Sequence, residues 1–422
     1  MIYSETIDFL WIAIALLSGL LFTRIFLKIG KSFPDVTAFL IAGIIIGPCV
    51  LGRLNIEGLG FSSFESVDKL KIISDAALGF IAFSIGSEFK KDELNNIGKQ
   101  ATFIGIFQAL AATIVVDVVL IVLHFILGEE KLPLSVCVVL GAIASATAPA
   151  ATMMVINQYK AKGPLTKLLL PIVALDDAVG LIVFSISLGI AQAIQGDAIN
   201  IFSILINPIL EIICSITLGS FMGFVLSKLE KLFHSNTNRM SMSISFVLLT
   251  IALSSLKINL GPITISFSSL LVCMMLGTIF CNSNDNSDDI MLRVKKWTSP
   301  LNACFFVLSG AALQIGVFKN VTYILIGLTY IVSRSLGKYY GARVSSKMMK
   351  CNNSIVKYLG ITLLPQAGVA LGMCKQSVVL GASQSTLIIN ITLFSVLIYE
   401  LFGPTLTRNA LLKASEINPN YK

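Results

Sequence analysis

Residues 168–184 read LLLPIVALDDAVGLIVF and place two adjacent carboxylates, Asp176 and Asp177, within an otherwise apolar segment. A helix needs about 20 apolar residues to cross a membrane, and this segment with its flanks provides them. Charged groups in the hydrocarbon region are costly and commonly mark a functional site. Two carboxylates this close in a medium of low dielectric constant cannot both stay charged without a cationic partner. The stretch therefore predicts a buried site for cations or protons.

The composition extends this interpretation to the whole chain. Of the 422 residues, 55% are hydrophobic and 13% are charged, whereas soluble proteins have roughly 25% charged residues. The alternating pattern of barrel strands is missing, so the fold class is an all-α polytopic membrane protein. The eight cysteines form no CxxC pair and the two histidines stand alone, which argues against a disulfide framework or a metal cluster. Nucleic-acid binding is excluded as a main role.

The hydropathy pattern predicts about thirteen transmembrane helices. Their predicted bounds are 8–27, 34–51, 70–89, 100–127, 133–156, 164–194, 201–227, 240–257, 262–281, 298–317, 320–345, 355–374 and 381–407. Between two of these spans, the acidic and polar stretch 282–297 is predicted to be a solvated linker.

The distribution of Lys and Arg predicts the orientation of the chain. Loops after odd-numbered spans contain eighteen of these residues, and loops after even-numbered spans contain seven. Basic residues concentrate in cytoplasmic loops. The N-terminus is therefore predicted outside and the C-terminus inside, in the cell membrane. The net charge of +8 then reflects topology.

Span eleven has two basic residues within its apolar segment. Lys338 lies in YIVSRSLGKYYGARV, and Arg334 lies one helical turn earlier, on roughly the same face. Lys338 is the candidate charge partner of Asp176. The alternative is that both side chains extend to the cytoplasmic surface, which long basic side chains do readily.

Span five is predicted to be interrupted. Its sequence, LGAIASATAPAATMMVI (140–156), surrounds Pro149 with small and hydroxyl-bearing residues. Proline removes a helical hydrogen bond and clashes with the preceding turn. Freed carbonyls and the hydroxyls of Ser145, Thr147 and Thr152 are suitable ligands for a hard cation. A simple proline kink is the alternative.

Span twelve has a matching interruption in YLGITLLPQAGVALGM (358–373), at Pro365, Gln366 and Gly368. Paired interrupted helices in corresponding halves of a chain indicate an inverted repeat with an ion site at the midplane. The fold prediction therefore includes inverted repeats whose two broken helices cross.

Four further acids lie in or at the ends of the apolar spans, and no motif surrounds them. The four acids are Asp75, Glu88, Asp117 and Glu211. Their simplest explanation is that they make hydrogen bonds between helices or provide charges at helix ends.

Together these residues resemble the monovalent cation:proton antiporters, in particular the bacterial sodium/proton antiporter branch with paired aspartates. The resemblance rests on DDAVGLIVF (176–184), GKYYG (337–341), SATAP (145–149) and PDVTAFLIAGIIIGP (34–48). Their order and spacing fit nearly the whole chain.

The resemblance implies roles for individual residues. Asp177 matches the aspartate that carries the ion, here Na⁺, and Asp176 matches the partner aspartate that pairs with the lysine at Lys338. Thr147 matches the hydroxyl of the first broken helix. Some members have an acid at the next position, where this chain has Ala148. The paired aspartates with a lysine resemble the electrogenic type.

The resemblance also implies a homodimer in the lipid bilayer, in which a core domain moves like an elevator. The predicted division assigns dimerisation helices to 1–69, the first half of the ion-transport core to 70–195, dimerisation and linker helices to 196–297, the second half of the core to 298–380, and the last core helix with a short tail to 381–422.

The predicted function is exchange of Na⁺ for H⁺ by a secondary transporter of the bacterial plasma membrane, with no cofactor and no enzymatic activity. K⁺/H⁺ exchange is the main alternative, because carbonyl and hydroxyl ligands around a carboxylate suit both ions. A regulated cation channel and a membrane receptor are weaker alternatives. The sequence has no GxxxxGK[ST] motif, which argues against a nucleotide-binding domain.

Overall fold

The computed structural model describes residues 2–28, 34–54, 56, 60–195, 201–256, 258–260, 263–284, 286–313 and 321–417. Over these ranges the chain forms sixteen α-helices: α1 Ile2–Lys28, α2 Asp35–Ile46, α3 Phe64–Lys69, α4 Lys71–Ser87, α5 Lys91–Leu127, α6 Leu134–Ile143, α7 Pro149–Tyr159, α8 Pro164–Ile194, α9 Ile201–Glu230, α10 Asn236–Ser254, α11 Ser269–Ser283, α12 Ser287–Ala311, α13 Val321–Met348, α14 Asn353–Thr362, α15 Gly368–Gln376 and α16 Ala382–Lys413. Short 3₁₀ turns cover Leu51–Leu54 and Ser377–Leu380. Between α10 and α11, strands β1 (Ile258–Leu260) and β2 (Ile263–Ile265) pair antiparallel, with Asn259 opposite Thr264.

The helical class is as predicted, and helix occupies the larger part of every predicted span. Within the described ranges, six helices are both long and apolar enough to cross a membrane. The count of thirteen crossings therefore stays a prediction. Span positions 257, 262, 314–317 and 320 lie outside the described residues.

The predicted linker at 282–297 is wrong for most of its length, because α12 begins at Ser287. Asp288 and Asp289 lie in its first turn, where acidic side chains are stabilised by the helix dipole. Arg293 follows one turn later and pairs with Asp289 at 3.0 Å. The favourable position of these acids at the helix dipole and the charge pair thus extend the helix before its apolar part begins.

Helices α5 and α13 make the most extensive helix–helix contact, and glycines in the GKYYG stretch permit it. A Cβ atom at Gly337 would lie 2.7 Å from the Ala112 Cα atom, and one at Gly341 would lie 2.8 Å from the Ala111 Cβ atom and close to Gln108. Both distances are too short for a side chain. Small residues let helix backbones approach in membranes, and this approach brings Lys338 and Gln108 to the same level.

The helix contacts divide into two groups. Helices α5, α6, α8, α13, α14 and α16 pack mainly on one another, whereas α1, α2, α4, α9, α11 and α12 form a second set of contacts. Helix α4 packs chiefly on α11 and α12, and α12 packs chiefly on α2. The predicted division, which places α4 and the apolar part of α12 with the core, stays a prediction. The hydropathy of a segment indicates that the helix is buried or in contact with lipid. It does not indicate which neighbouring helix packs against it.

We expect Gly337→Ala to destabilise the protein, because the added methyl group meets the α5 backbone and overpacking typically costs about 1–3 kcal/mol. Gly98→Ala is the matched control, since a Cβ atom there has nothing within 4 Å. The measurement is thermal unfolding in detergent. Equal unfolding temperatures for the two variants would contradict the close α5–α13 packing.

Candidate functional site

The two interrupted helices meet at their breaks. Helix α6 ends at Ile143 and α7 begins at Pro149, while α14 ends at Thr362 and α15 begins at Gly368. The Ala148 amide in the first break donates to the Pro365 carbonyl in the second, at 2.8 Å. Pro149 is the first residue of α7, where its missing N–H is not needed. Each proline therefore lies where a helix must stop or start.

Arg334 of α13 binds the carbonyl groups that these breaks leave free. Its guanidinium donates to the carbonyls of Ala144 at 3.0 Å, Ala146 at 2.6 Å and Leu364 at 2.7 Å. Its side chain is fully buried and stacks on the Tyr399 ring, 4.5 Å from the ring centroid. The alternative that Arg334 extends to the surface is therefore wrong.

Gln366 ties the second break to the first. Its Nε2 atom donates to the Ile143 carbonyl at 2.9 Å and to the Tyr330 hydroxyl at 3.0 Å. Its Oε1 atom accepts from the Ser395 hydroxyl of α16, at 2.9 Å. Both ends of the amide are used, so Gln366 holds the crossing together.

Lys338 lies beside Asp176 at this crossing, and both side chains are fully buried. Its Nζ atom is 2.9 Å from Asp176 Oδ2, 2.9 Å from Thr147 Oγ1 and 2.5 Å from the Ser145 carbonyl. The ion pair proposed from the sequence is present, and the alternative that Lys338 reaches the surface is wrong. The Ser145 hydroxyl instead donates to the Ala142 carbonyl, at 2.6 Å.

Asp176 has donors on both carboxylate oxygens. The Thr147 hydroxyl donates to Oδ2 at 2.6 Å, beside Lys338. The Gln108 amide of α5 donates to Oδ1. Gln108 is a site residue that the sequence reasoning missed. The available signal was an amide in the middle of an apolar span, which is costly there unless it is hydrogen-bonded.

Asp177 differs from its neighbour in exposure and in hydrogen bonding. It is partly exposed, and its Oδ1 atom is buried without a hydrogen-bond partner in the described part of the chain. A carboxylate without a fixed donor is available to a proton or a cation. The two adjacent acids therefore have different environments.

The four weaker candidates lie away from the crossing. Asp75 is exposed on α4, and Glu88 pairs with Lys295 at 2.6 Å. Glu211 accepts from the Ser266 hydroxyl at 3.0 Å. Asp117 lies against the backbone of Gly141, where a Cβ atom would overlap its carboxylate. None of these recorded contacts reaches the aspartate pair.

A cavity of about 1040 Å³ lies between α4 and α12 on one side and α7 and α8 on the other. Its rim includes lysines of the connection between α7 and α8 and of the start of α12. Ala150 and Pro171 also line the cavity. Ala150 follows the first break and Pro171 precedes the aspartate pair, so the cavity extends from the lysine-rich end of the bundle to residues beside the crossing.

We expect Lys338→Gln to lower the stability of the protein, because a buried carboxylate without its partner costs roughly 3–5 kcal/mol. Adding Asp176→Asn should recover part of this loss, since no buried charge then lacks a partner. Lys131→Gln, at an exposed lysine, is the control. Thermal unfolding in detergent is measured for the unaltered protein and these three variants, and a double variant no more stable than Lys338→Gln would contradict the pairing.

The chain is similar in sequence to known antiporters. The chain is 25% identical over 360 residues to the Na(+)/H(+) antiporter NhaS4 of Synechocystis, covering 83% of each chain. It is 22% identical over 385 residues to the K(+)/H(+) antiporter subunit KhtU of Bacillus subtilis, covering 90% of this chain and 88% of that one.

Two structures of the sodium proton antiporter MjNhaP1 of Methanocaldococcus jannaschii have the same fold. Their TM-scores are 0.67 and 0.70 at 18% identity, and the matches cover 96% and 97% of this chain and 99% and 98% of those. Residues 12–408 match the family described as sodium/hydrogen exchanger, transmembrane. The chain therefore belongs to the sodium/hydrogen exchanger family, within the monovalent cation:proton antiporters, and is a multi-pass membrane protein of a family of transporters.

Proposed function

We propose that this chain exchanges Na⁺ for H⁺ across the membrane, with Asp177 as the group that carries either ion. One observation carries the proposal: Asp177 is partly exposed and has an unpartnered carboxylate oxygen. Its neighbour Asp176 is already neutralised by Lys338. One carboxylate that accepts one cation at a time makes the two ions compete, and competition for a shared site is what couples them.

The charges of the site support alternating transport. Asp176, Asp177 and Lys338 together have a net charge of −1 when Asp177 is empty. A proton or a monovalent cation brings this sum to zero. Moving a net charge through a region of low dielectric constant is strongly disfavoured. The loaded site therefore crosses more easily than the empty site, which limits transport without exchange.

Arg334 is left out of this sum because its charge has a different partner. Helices α6 and α14 end at the crossing, and each helix C-terminus has about −0.5 of an elementary charge. The guanidinium donates hydrogen bonds to carbonyls at both helix ends. Its charge therefore offsets roughly the sum of the two partial charges, about −1. We propose that Arg334 is a permanent structural cation and Lys338 the cation that responds to the transported ion.

Potassium/proton exchange is the second candidate. The relative KhtU, which matches along nearly its whole length, is described as a K(+)/H(+) antiporter subunit. Proteoliposomes with an interior pH dye separate the two candidates, because external Na⁺ or K⁺ should drive proton movement only if it is a substrate. Proton movement with neither ion would overturn both.

We further propose an elevator movement of one helix group against the other in a homodimer. Spans five and twelve, each interrupted, are seven apart, which supports an inverted repeat. The packing supports a revised division, in which α5–α8 and α13–α16 move together and the remaining long helices, including α4 and α12, form the dimerisation part. In the predicted topology, the cavity between the groups faces the cytoplasm.

Asp177→Asn should abolish exchange, because an amide neither releases nor rebinds a proton at neutral pH. Asp75→Asn, at an exposed acid of α4, should keep near-native exchange. The measurement is cation-driven proton flux in proteoliposomes with equal amounts of each protein. Near-native, proton-coupled exchange in Asp177→Asn would show that the ion binds elsewhere.

Lys338→Gln tests the electrogenic form of the proposal. With Lys338 charged throughout, the zero charge sum gives one proton for each sodium ion. In the electrogenic form, cation binding instead breaks the Asp176–Lys338 pair and Lys338 releases a second proton, so two protons move for each sodium ion and the sodium-loaded site keeps a net charge of −1. Removing the lysine should lower the charge moved per cation, while transport through Asp177 persists. Current and sodium flux are measured together in liposomes. An unchanged ratio of charge to sodium would overturn the role of Lys338.

A further inference from the structure

Glu416 lies three residues beyond the end of α16 and is buried, with 7% of its surface exposed. Its carboxylate accepts hydrogen bonds from the Leu165 amide at 2.6 Å, the Thr166 amide at 2.8 Å and the Thr166 hydroxyl at 2.6 Å. Its own backbone carbonyl accepts from the Lys162 amide at 3.1 Å. The Lys162 amide lies in the connection before α8, and the other three donors lie in the first turn of α8, the helix that contains both aspartates of the site.

The start of α8 has no cap of its own. The residue before the helix is Gly163, which has no side chain to accept the first free N–H groups. A carboxylate at this place bonds to those groups and is also favoured by the helix dipole. A Cβ atom at Gly163 would lie 2.3 Å from the Glu416 Cδ atom. Glycine thus leaves the space that the distant carboxylate fills.

The first turns of α8 need this anchor because Pro171 lies inside the helix. Proline removes one backbone hydrogen bond from the turns that precede it, so these turns depend more on the contacts with Glu416. Asp176 lies 11 residues after Leu165, about 16 Å along a helix. The position of the aspartates along the helix axis therefore depends on how the first turns are held.

Helix α16 connects this anchor to the crossing. Its Ser395 donates to Gln366 at 2.9 Å, and its Tyr399 ring faces the Arg334 guanidinium. The same helix is followed by Glu416. Helix α16 thus contacts the break between α14 and α15 and the cation that binds both breaks, and the segment that directly follows it contacts the start of α8.

We propose that Glu416 is a positioning residue for ion exchange, which holds α8 at the axial level where Asp176 meets Thr147 and Lys338. It acts through α8 and does not touch the ion. The inference rests on the proposed function only where cation exchange is measured. Hydrogen–deuterium exchange of α8 tests it whichever ion is carried, and also if no ion is carried.

The test compares Glu416→Gln and Glu416→Asp with two controls. Ile417→Ala removes buried packing from the same segment without touching the carboxylate, and Glu130→Gln removes an exposed acid. Hydrogen–deuterium exchange is measured for peptides covering 163–170 and 174–184. The apparent KM for the cation and the pH profile of exchange are measured in proteoliposomes, with thermal unfolding of each variant.

Glu416→Gln should speed amide exchange in both peptides and raise the apparent KM by about three- to tenfold, a size typical of losing a helix cap. Glu416→Asp should restore part of the slow amide exchange and part of the low apparent KM, because it keeps a carboxylate. Ile417→Ala should lower the unfolding temperature and leave the KM and the pH profile near native.

A change in unfolding temperature alone for Glu416→Gln, with native KM, pH profile and exchange in 174–184, would overturn the proposal. If the unaltered protein exchanges no cation, the proposed function fails, while faster amide exchange in both peptides still supports the positioning of α8.

Discussion

The structure depends on one constraint: where two helices break inside an apolar bundle, each freed carbonyl and each charge must find its partner within the protein. Arg334 binds carbonyls from both breaks, and Lys338 pairs with Asp176 between them. Removing water from a charge pair is costly, and well-packed apolar residues are often more stable in its place. We therefore propose that the buried pair at this crossing serves transport more than stability.

The constraint also separates the roles of two identical neighbours. Asp176 has donors on both oxygens, from Lys338, Thr147 and Gln108, and is thereby committed to the protein. Asp177 keeps an oxygen without a partner. We propose that the committed aspartate sets the local charge and the other exchanges ions. Their roles come from neighbours on other helices, because the two side chains point about 100° apart around the same axis.

Much of this could be predicted from the sequence. In lipid a helix must be apolar over about 20 residues, so charges and prolines inside a span are conspicuous. The apolar runs gave the helical class, and the prolines at positions 149 and 365 gave both breaks. The pairing of Lys338 with Asp176 followed from charge balance, since a buried carboxylate needs a cation and the chain has few within its spans.

Tertiary structure alone decided the remaining partners. Gln108 reaches Asp176 across 68 positions of sequence and Glu416 reaches Leu165 across 251, and neither lies in a motif that points to its partner. The grouping of α4 with α11 and α12 was likewise hidden. The reason is physical: in a membrane every face of a helix is apolar, so hydropathy has little power to indicate which faces meet. That choice depends on the fit of small residues such as Gly337 against a particular neighbour.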